Sequence, residues 1–161
     1  MIRRNSPLHG TSARRWARMM SAPFPKGGTM MPTVNEAEIR RHIEALQRGD
    51  AAVLGEILAD DFVQEWPQTG ERVRGAQACL AVAQAYPGGM PVMDVGRVTG
   101  EGDHWVVQGV MHYPDGSEYH VASMLEFADG KVRRQTDYFG PPFPAPEWRA
   151  PLVERFEPAL A

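Results

Sequence analysis

The spacing of apolar residues predicts three short helices in the first half of the chain. The first helix begins at a capping-box pair and carries one apolar face until Gly49: Thr33, Glu36, Ile39, Ile43 and Leu46. Asp50 can cap a second helix, whose apolar face contains Val53, Leu54, Ile57 and Leu58. A third helix opens near Gly75 and stops at Pro87-Gly88-Gly89.

The rest of the pattern predicts strands. Residues 62–66 form a first strand that Pro67 ends, and four β-rich runs follow the third helix: 92–99, 105–113, 119–127 and 132–139. Short turns that contain glycine separate these four runs, which is typical of an antiparallel meander. We therefore predict an α+β fold, in which a cone-shaped, curved antiparallel sheet packs on three N-terminal helices.

The two ends of the chain are unlike this predicted domain, which spans residues 33–140. Residues 1–32 mix Arg, Ser, Pro and Gly without periodicity, and we interpret them as a flexible tail, an Arg-rich targeting peptide or an over-long gene start. The third interpretation, with the real start at Met30 or Met31, is favoured. Residues 141–161 form a Pro-rich arm, predicted to fold back on its own domain or across a dimer through Phe143 and Trp148.

Composition and charge narrow the class of protein. The chain has no 18-residue apolar run and no secretory signal pattern, so we expect a cytoplasmic protein without a membrane partner. Cys79 is the single cysteine, so an internal disulfide is excluded. Residues 1–30 carry six basic and no acidic residues, so the net charge of −3 leaves −9 for the remainder. Such an acidic body is a poor binder of nucleic acid.

Three segments carry a family resemblance: Gly70 to Gly75 before the third helix, Asp129 to Val132 before the last strand, and the closing Thr136-Asp137-Tyr138-Phe139. In this order they resemble the SnoaL-like branch of the nuclear transport factor 2-like superfamily. The resemblance implies a cone-shaped α+β barrel (a cystatin-like fold) with a hydrophobic pocket, commonly a homodimer through the outer sheet face. The superfamily includes polyketide cyclases, ketosteroid isomerases, dehydratases, epoxide hydrolases and members without chemistry, so the fold does not decide the function.

Asp137 is the first candidate catalytic residue. It lies among bulky neighbours on the last strand, and a desolvated carboxylate has a raised pKa that suits a base. The resemblance also implies an acid at this position, facing the pocket. Strict alternation from an inward Val132 would nevertheless turn Asp137 outward, unless a bulge shifts the register.

His112 is the second candidate. It shares a face with Gln108 on the third predicted strand, residues 105–113, and a histidine beside an apolar cavity can exchange a proton near neutral pH. Relatives often place a polar residue on this strand opposite the acid, which makes a pair of His112 and Asp137 conceivable. A surface or dimer-face histidine is the alternative.

Further residues are candidates for the ligand pocket: Gln64, Trp66, Gln68, Gln108 and Tyr138. Amides and an indole at a cavity mouth can orient a carbonyl or hydroxyl group. For Trp66, packing under its own loop is an equally good interpretation.

No closely spaced ligand pair supports a metal site, and no phosphate loop, dinucleotide fingerprint or nucleophile elbow is present. We therefore expect no metal and no cofactor. The predicted function is binding of a small, mostly apolar organic molecule, with acid-base catalysis by Asp137. The alternative is a ligand-binding or protein-interaction module of the same fold without chemistry.

Overall fold

The computed structural model describes residues 34–156, so the interpretations of residues 1–32 and the last five residues of the arm lie outside the described part. The helices are α1 (Val34–Arg48), α2 (Ala51–Ile57) and α3 (Ala76–Gln84). The strands are β1 (Leu58–Trp66), β2 (Glu71–Arg74), β3 (Val92–Glu101), β4 (His104–His112), β5 (Glu118–Ala128) and β6 (Lys131–Gly140). None of the helices in residues 34–156 is long and apolar enough to cross a membrane.

A two-residue link joins the first two helices. Gly49 takes a positive φ of 63°, and the Asp50 amide donates to the Ala45 carbonyl at 2.9 Å, which closes the end of α1. The Asp50 carboxylate then accepts from the backbone N–H of Val53 at 3.1 Å and caps α2, as the sequence predicts. The chain therefore turns sharply and continues directly into β1.

The six strands form one curved, unclosed sheet in the order β2-β1-β6-β5-β4-β3. Strands β3 to β6 are the predicted antiparallel meander, but β1 pairs with β6 in parallel. The predicted curved sheet packed on three N-terminal helices is confirmed, and the parallel β1–β6 pair is a departure from its predicted antiparallel order. Strand β2 was not predicted, since its four residues include three exposed charged side chains.

A β-bulge interrupts the pairing of β5 with β6. Glu126 pairs with Arg134 and Phe127 pairs with Val132, so Arg133 has no partner on β5. Val132, Gln135 and Asp137 are consequently all buried, although an unbroken alternation would separate them. The bulge is the register shift on which an inward Asp137 depends.

Apolar side chains from the helices and from the inner face of the sheet form the core, among them Ile39, Leu54, Phe62, Met93, Val107 and Leu125. The arm differs from this part of the chain. It contains a short 3₁₀ helix, Glu147–Leu152, and the exposed fractions of Phe143 and Trp148 are 75% and 74%. The predicted anchors do not pack on their own domain among the described residues.

Candidate active site

A cavity of about 270 Å³ lies between the three helices and the inner face of the sheet. Its wall is mostly apolar, with Leu46, Leu54, Phe62, Leu80, Met111 and Phe139 among the lining residues. Seven wall residues carry an amide, hydroxyl, thiol or ring N–H group: His42, Gln64, Trp66, Cys79, Tyr86, Tyr113 and Gln135. Ligand pockets combine an apolar lining with a few convergent polar groups in this way, and their volumes start at about 300 Å³.

The carboxylate of Asp137 lies behind the polar side of this cavity and is 2% exposed. Its Oδ1 accepts from the Ser123 hydroxyl at 2.6 Å and from Gln135 Nε2 at 2.8 Å. Its Oδ2 accepts from Gln64 Nε2 at 2.6 Å and from Gln135 Nε2 at 3.1 Å. Both oxygens are thus held by side chains, and two of these donors, Gln64 and Gln135, belong to the cavity wall.

Local pairing explains this convergence. Ser123 is the direct partner of Asp137 across the β5–β6 pair, and Gln64 is the partner of Gln135 across the parallel β1–β6 pair. Residues two apart on a strand face the same side, so Gln135 reaches the acid that lies two positions further along. The three donors therefore come from three adjacent strands.

Burial raises the pKa of Asp137 above its ordinary value. Hydrogen bonds from Ser123, Gln64, Gln135 and Trp66 stabilise the carboxylate and lower its pKa, but they offset the effect of burial only in part. An acid with this balance accepts a proton more readily than an exposed aspartate does. The basic side chains nearest in sequence, Arg133 and Arg134, contact Asp61 and Glu65 and not Asp137.

The amide of Gln64 is fixed at both ends. Its Nε2 donates to Asp137, and its Oε1 accepts from the Cys79 thiol at 3.1 Å. Burial and the nearby Asp137 carboxylate raise the pKa of Cys79 to about 11. Cys79 is therefore a protonated donor at neutral pH.

Tyr113 closes another part of the wall within an aromatic cluster. Its ring centroid lies 5.2 Å from that of Tyr86 and 5.4 Å from that of Tyr119. Burial, with smaller contributions from the neighbouring tyrosines and acids, raises the pKa of Tyr113 to about 12. Its hydroxyl therefore stays protonated and can donate a hydrogen bond to a ligand.

His42 on α1 is a site residue that the sequence analysis missed. It lines the cavity, is 2% exposed, and neither ring nitrogen has a hydrogen-bond partner. Burial lowers its pKa to about 4, so the imidazole is neutral near pH 7. The available signal was its position within the apolar stripe, three residues after Ile39 and four before Leu46.

The structure does not bring His112 to Asp137. Met111 and Tyr113 line the cavity, and His112 between them points to the opposite face of the sheet because side chains alternate along β4. There its Nε2 lies 3.1 Å from Asp94 Oδ2 and its Nδ1 lies 3.0 Å from Glu118 Oε1. This is the placement that the alternative interpretation of His112 expects.

The predicted pocket residues divide into two groups. Gln64 and Trp66 lie in the cavity wall, two positions apart on β1. Gln108 and Tyr138 are exposed on the outer face of the sheet. Gln68 is exposed in the turn after β1, where its Nε2 donates to the Phe139 carbonyl at 2.9 Å and ties the turn to the end of β6.

Within residues 34–156, no group of three or more His, Cys, Asp or Glu side chains is arranged to hold a metal ion. The polar wall residues are amides, an indole, a thiol, two phenols and a neutral imidazole, a set suited to hydrogen bonding of an organic ligand.

The helices, the curved six-stranded sheet and the cavity between them define a nuclear transport factor 2-like fold. A solved structure of such a protein of unknown function, from Burkholderia xenovorans, is 33% identical with a TM-score of 0.70, covering 77% of this chain and 96% of its own. A candidate ketosteroid isomerase from Kribbella flavida is 30% identical with a TM-score of 0.70, covering 79% of this chain and 93% of its own.

A more distant structure supports the fold alone. It is a LEH-like epoxide hydrolase from M. tuberculosis, 20% identical with a TM-score of 0.55, covering 67% of this chain and 84% of its own. Comparison with curated proteins finds no match. The model of the SnoaL-like domain family matches residues 39–135, and the chain belongs to this family.

Proposed function

We propose that the protein binds a small, mostly apolar organic molecule and converts it by acid-base chemistry that needs no cofactor, with Asp137 as the proton acceptor. The observation that carries the proposal is the buried Asp137, with its raised pKa, held by two amides of an apolar cavity wall. Similarity to the candidate ketosteroid isomerase favours removal of a proton next to a carbonyl group.

Asp137 is not itself a wall residue, since the amides of Gln64 and Gln135 lie between it and the cavity. The proposal therefore includes a side-chain movement. Rotation of Gln64 removes the shorter hydrogen bond from Oδ2 and opens this oxygen to the ligand, while Ser123 keeps Oδ1 in place and Gln135 donates to both oxygens. The transferred proton then rests on Oδ2 until it is returned to the product.

The test uses two simple substrates that cover two kinds of acid-base reaction. Cyclohex-3-enone reports proton transfer at carbon, since its conjugated isomer absorbs in the ultraviolet, and styrene oxide reports activation of water. We expect turnover of at least one substrate, and a loss of about 10²-fold or more in Asp137→Asn, as is typical when a general base is removed. Asp61→Asn, which changes an exposed acid paired with Arg133, is the matched control and keeps the wild-type rate.

A second candidate is a ligand carrier without chemistry. It is favoured by the two occupied oxygens of Asp137, because a carboxylate bound in this way can serve to orient the Gln64 and Gln135 amides for binding. Ligand binding without turnover of either substrate, or equal turnover by the wild type and Asp137→Asn, would contradict Asp137 as the base.

We also propose that the protein is a homodimer through the outer face of the sheet. Support comes from large apolar side chains exposed there: Val92, Met124 and Tyr138, with exposed fractions of 38%, 46% and 43%. Apolar groups grouped on one sheet face are typical of an interaction surface.

A further inference from the structure

His42 occupies an unusual position in the cavity wall. It is 2% exposed, and both ring nitrogens lack a hydrogen-bond partner among the described residues. A buried polar group without a partner costs about 1–3 kcal/mol, and an apolar residue would fill the same place without that cost. Neither ring nitrogen is open to the cavity, so a ligand atom reaches one of them only after the imidazole ring turns toward the cavity.

The imidazole has hydrogen-bonding capacity that the protein leaves unused. One nitrogen of a neutral imidazole donates and the other accepts. A hydroxyl group can use either nitrogen, whereas a carbonyl oxygen can use only the N–H. A cationic ligand would gain little from this residue, and an anionic ligand would meet the acid of Asp137 behind the same wall.

We propose that His42 is the residue that selects the ligand, by hydrogen bonding a hydroxyl or carbonyl oxygen on an uncharged, mostly apolar molecule. This inference rests on the proposed function, since it requires that the cavity binds an organic ligand. It goes further in naming the polar group of the ligand and the side chain that recognises it. In this role His42 is a specificity residue, and proton transfer remains with Asp137.

The experiment compares two probes that differ by one hydroxyl group, naphthalene and 2-naphthol, in equilibrium dialysis against the full chain at pH 7. One added hydrogen bond is worth about 1 kcal/mol, so we expect the wild type to bind 2-naphthol roughly five- to tenfold tighter than naphthalene. In His42→Leu this preference disappears, because the hydroxyl loses its partner, and naphthalene binds at least as tightly as before.

Two further variants test whether a lost preference for 2-naphthol is due to the hydrogen bond of His42. His42→Gln retains a donor and an acceptor and keeps part of the preference for 2-naphthol. Tyr138→Phe removes a hydroxyl at nearly constant shape on the outer face of the sheet, away from the cavity, and leaves the preference unchanged. His42→Leu is expected to melt at a higher temperature than the wild type, because it removes two unsatisfied buried nitrogens, so weaker binding cannot be attributed to unfolding.

The outcomes distinguish this inference from the proposed function. If neither probe binds the wild type, the ligand-binding cavity itself is refuted and both proposals fall. If both probes bind and His42→Leu keeps the preference for 2-naphthol, only the role of His42 is overturned. Turnover of the two substrates above tests Asp137 separately, and the loss of the role of His42 does not change that readout.

Discussion

The hydroxyl of Ser123 donates a 2.6 Å hydrogen bond to Oδ1 of Asp137, its direct partner across the β5–β6 pair. This bond stabilises the ionised carboxylate and lowers its pKa, against the larger effect of burial. Ser123→Ala therefore raises the pKa of Asp137 further. Because the proposed base acts in its ionised form, the rising limb of the pH–rate profile moves to higher pH.

The measurement is the pH dependence of cyclohex-3-enone or styrene oxide turnover in the wild type and the variant. Ser117→Ala is a matched control, since Ser117 also donates to an aspartate, Asp115, but in an exposed turn. A profile that shifts equally in both variants, or shifts to lower pH in Ser123→Ala, would contradict the assignment of Asp137.

The buried His42 predicts a loss of stability in acid. Its pKa is about 4 in the folded protein against a reference of 6.5, so the unfolded chain takes up the proton first as the pH falls. The free energy of unfolding therefore decreases between pH 6.5 and pH 4, by about 3 kcal/mol for this shift, and the loss levels off below pH 4.

Urea unfolding of the wild type and His42→Leu across this pH range measures the difference directly. The stability advantage of the variant grows as the pH falls, while His104→Leu, a change of an exposed histidine, does not produce this growth. A difference between the wild type and His42→Leu that is constant with pH would show that His42 titrates normally.

Gly109 on β4 has no room for a side chain. A β-carbon at this position would overlap the carbonyl oxygen of Asp94 on the neighbouring strand, at the point where the β3–β4 register is irregular. Relief requires movement of the backbone, so we expect Gly109→Ala to lower the free energy of unfolding by at least about 2 kcal/mol.

The control is Gly140→Ala at the end of β6, where a β-carbon would meet nothing within 4 Å. Gly140→Ala should change the free energy of unfolding by no more than about 0.5 kcal/mol. Thermal or denaturant unfolding compares the two variants, and equal stabilities would contradict the close approach of β3 to β4.

A substitution at Tyr138 tests the proposed dimer. A charge at its exposed position would be desolvated in an interface between two outer sheet faces. Sedimentation equilibrium should show a dimer for the wild type and at least about tenfold weaker association for Tyr138→Glu. Gln84→Glu, on the exposed end of α3, is the control that keeps the dimer. A monomeric wild type would refute this part of the proposal.

Local sequence patterns predict most of this fold. The three helices and the meander follow from the apolar stripes, from the Asp50 cap and from the glycine turns, and their bounds differ from the structure by a few residues. Strand β2 and the parallel β1–β6 pair are not predictable in this way. A short charged segment has no apolar periodicity, and pairing between strands distant in sequence leaves no local signal.

For the same reason, the sequence predicts only some residues of the candidate site. Gln64, Trp66 and Asp137 are identified as candidates from their neighbours, but Ser123 and Gln135 become visible only when β1, β5 and β6 lie side by side. His112 is attractive on chemical grounds, yet its chain neighbours Met111 and Tyr113 already occupy the cavity side of β4. Alternation along β4 places His112 on the face opposite Met111 and Tyr113. The sequence alone does not show which of these two faces lines the cavity.

Arg133, which has no partner on β5, also affects how residues of this chain are aligned with those of its relatives. A related chain that lacks the extra residue would present the opposite set of side chains from its last strand, even if its sequence were otherwise the same. Alignments of this family should therefore be anchored on the residues that follow Arg133, and a gap placed on the wrong side of it would match an interior acid with a surface tyrosine.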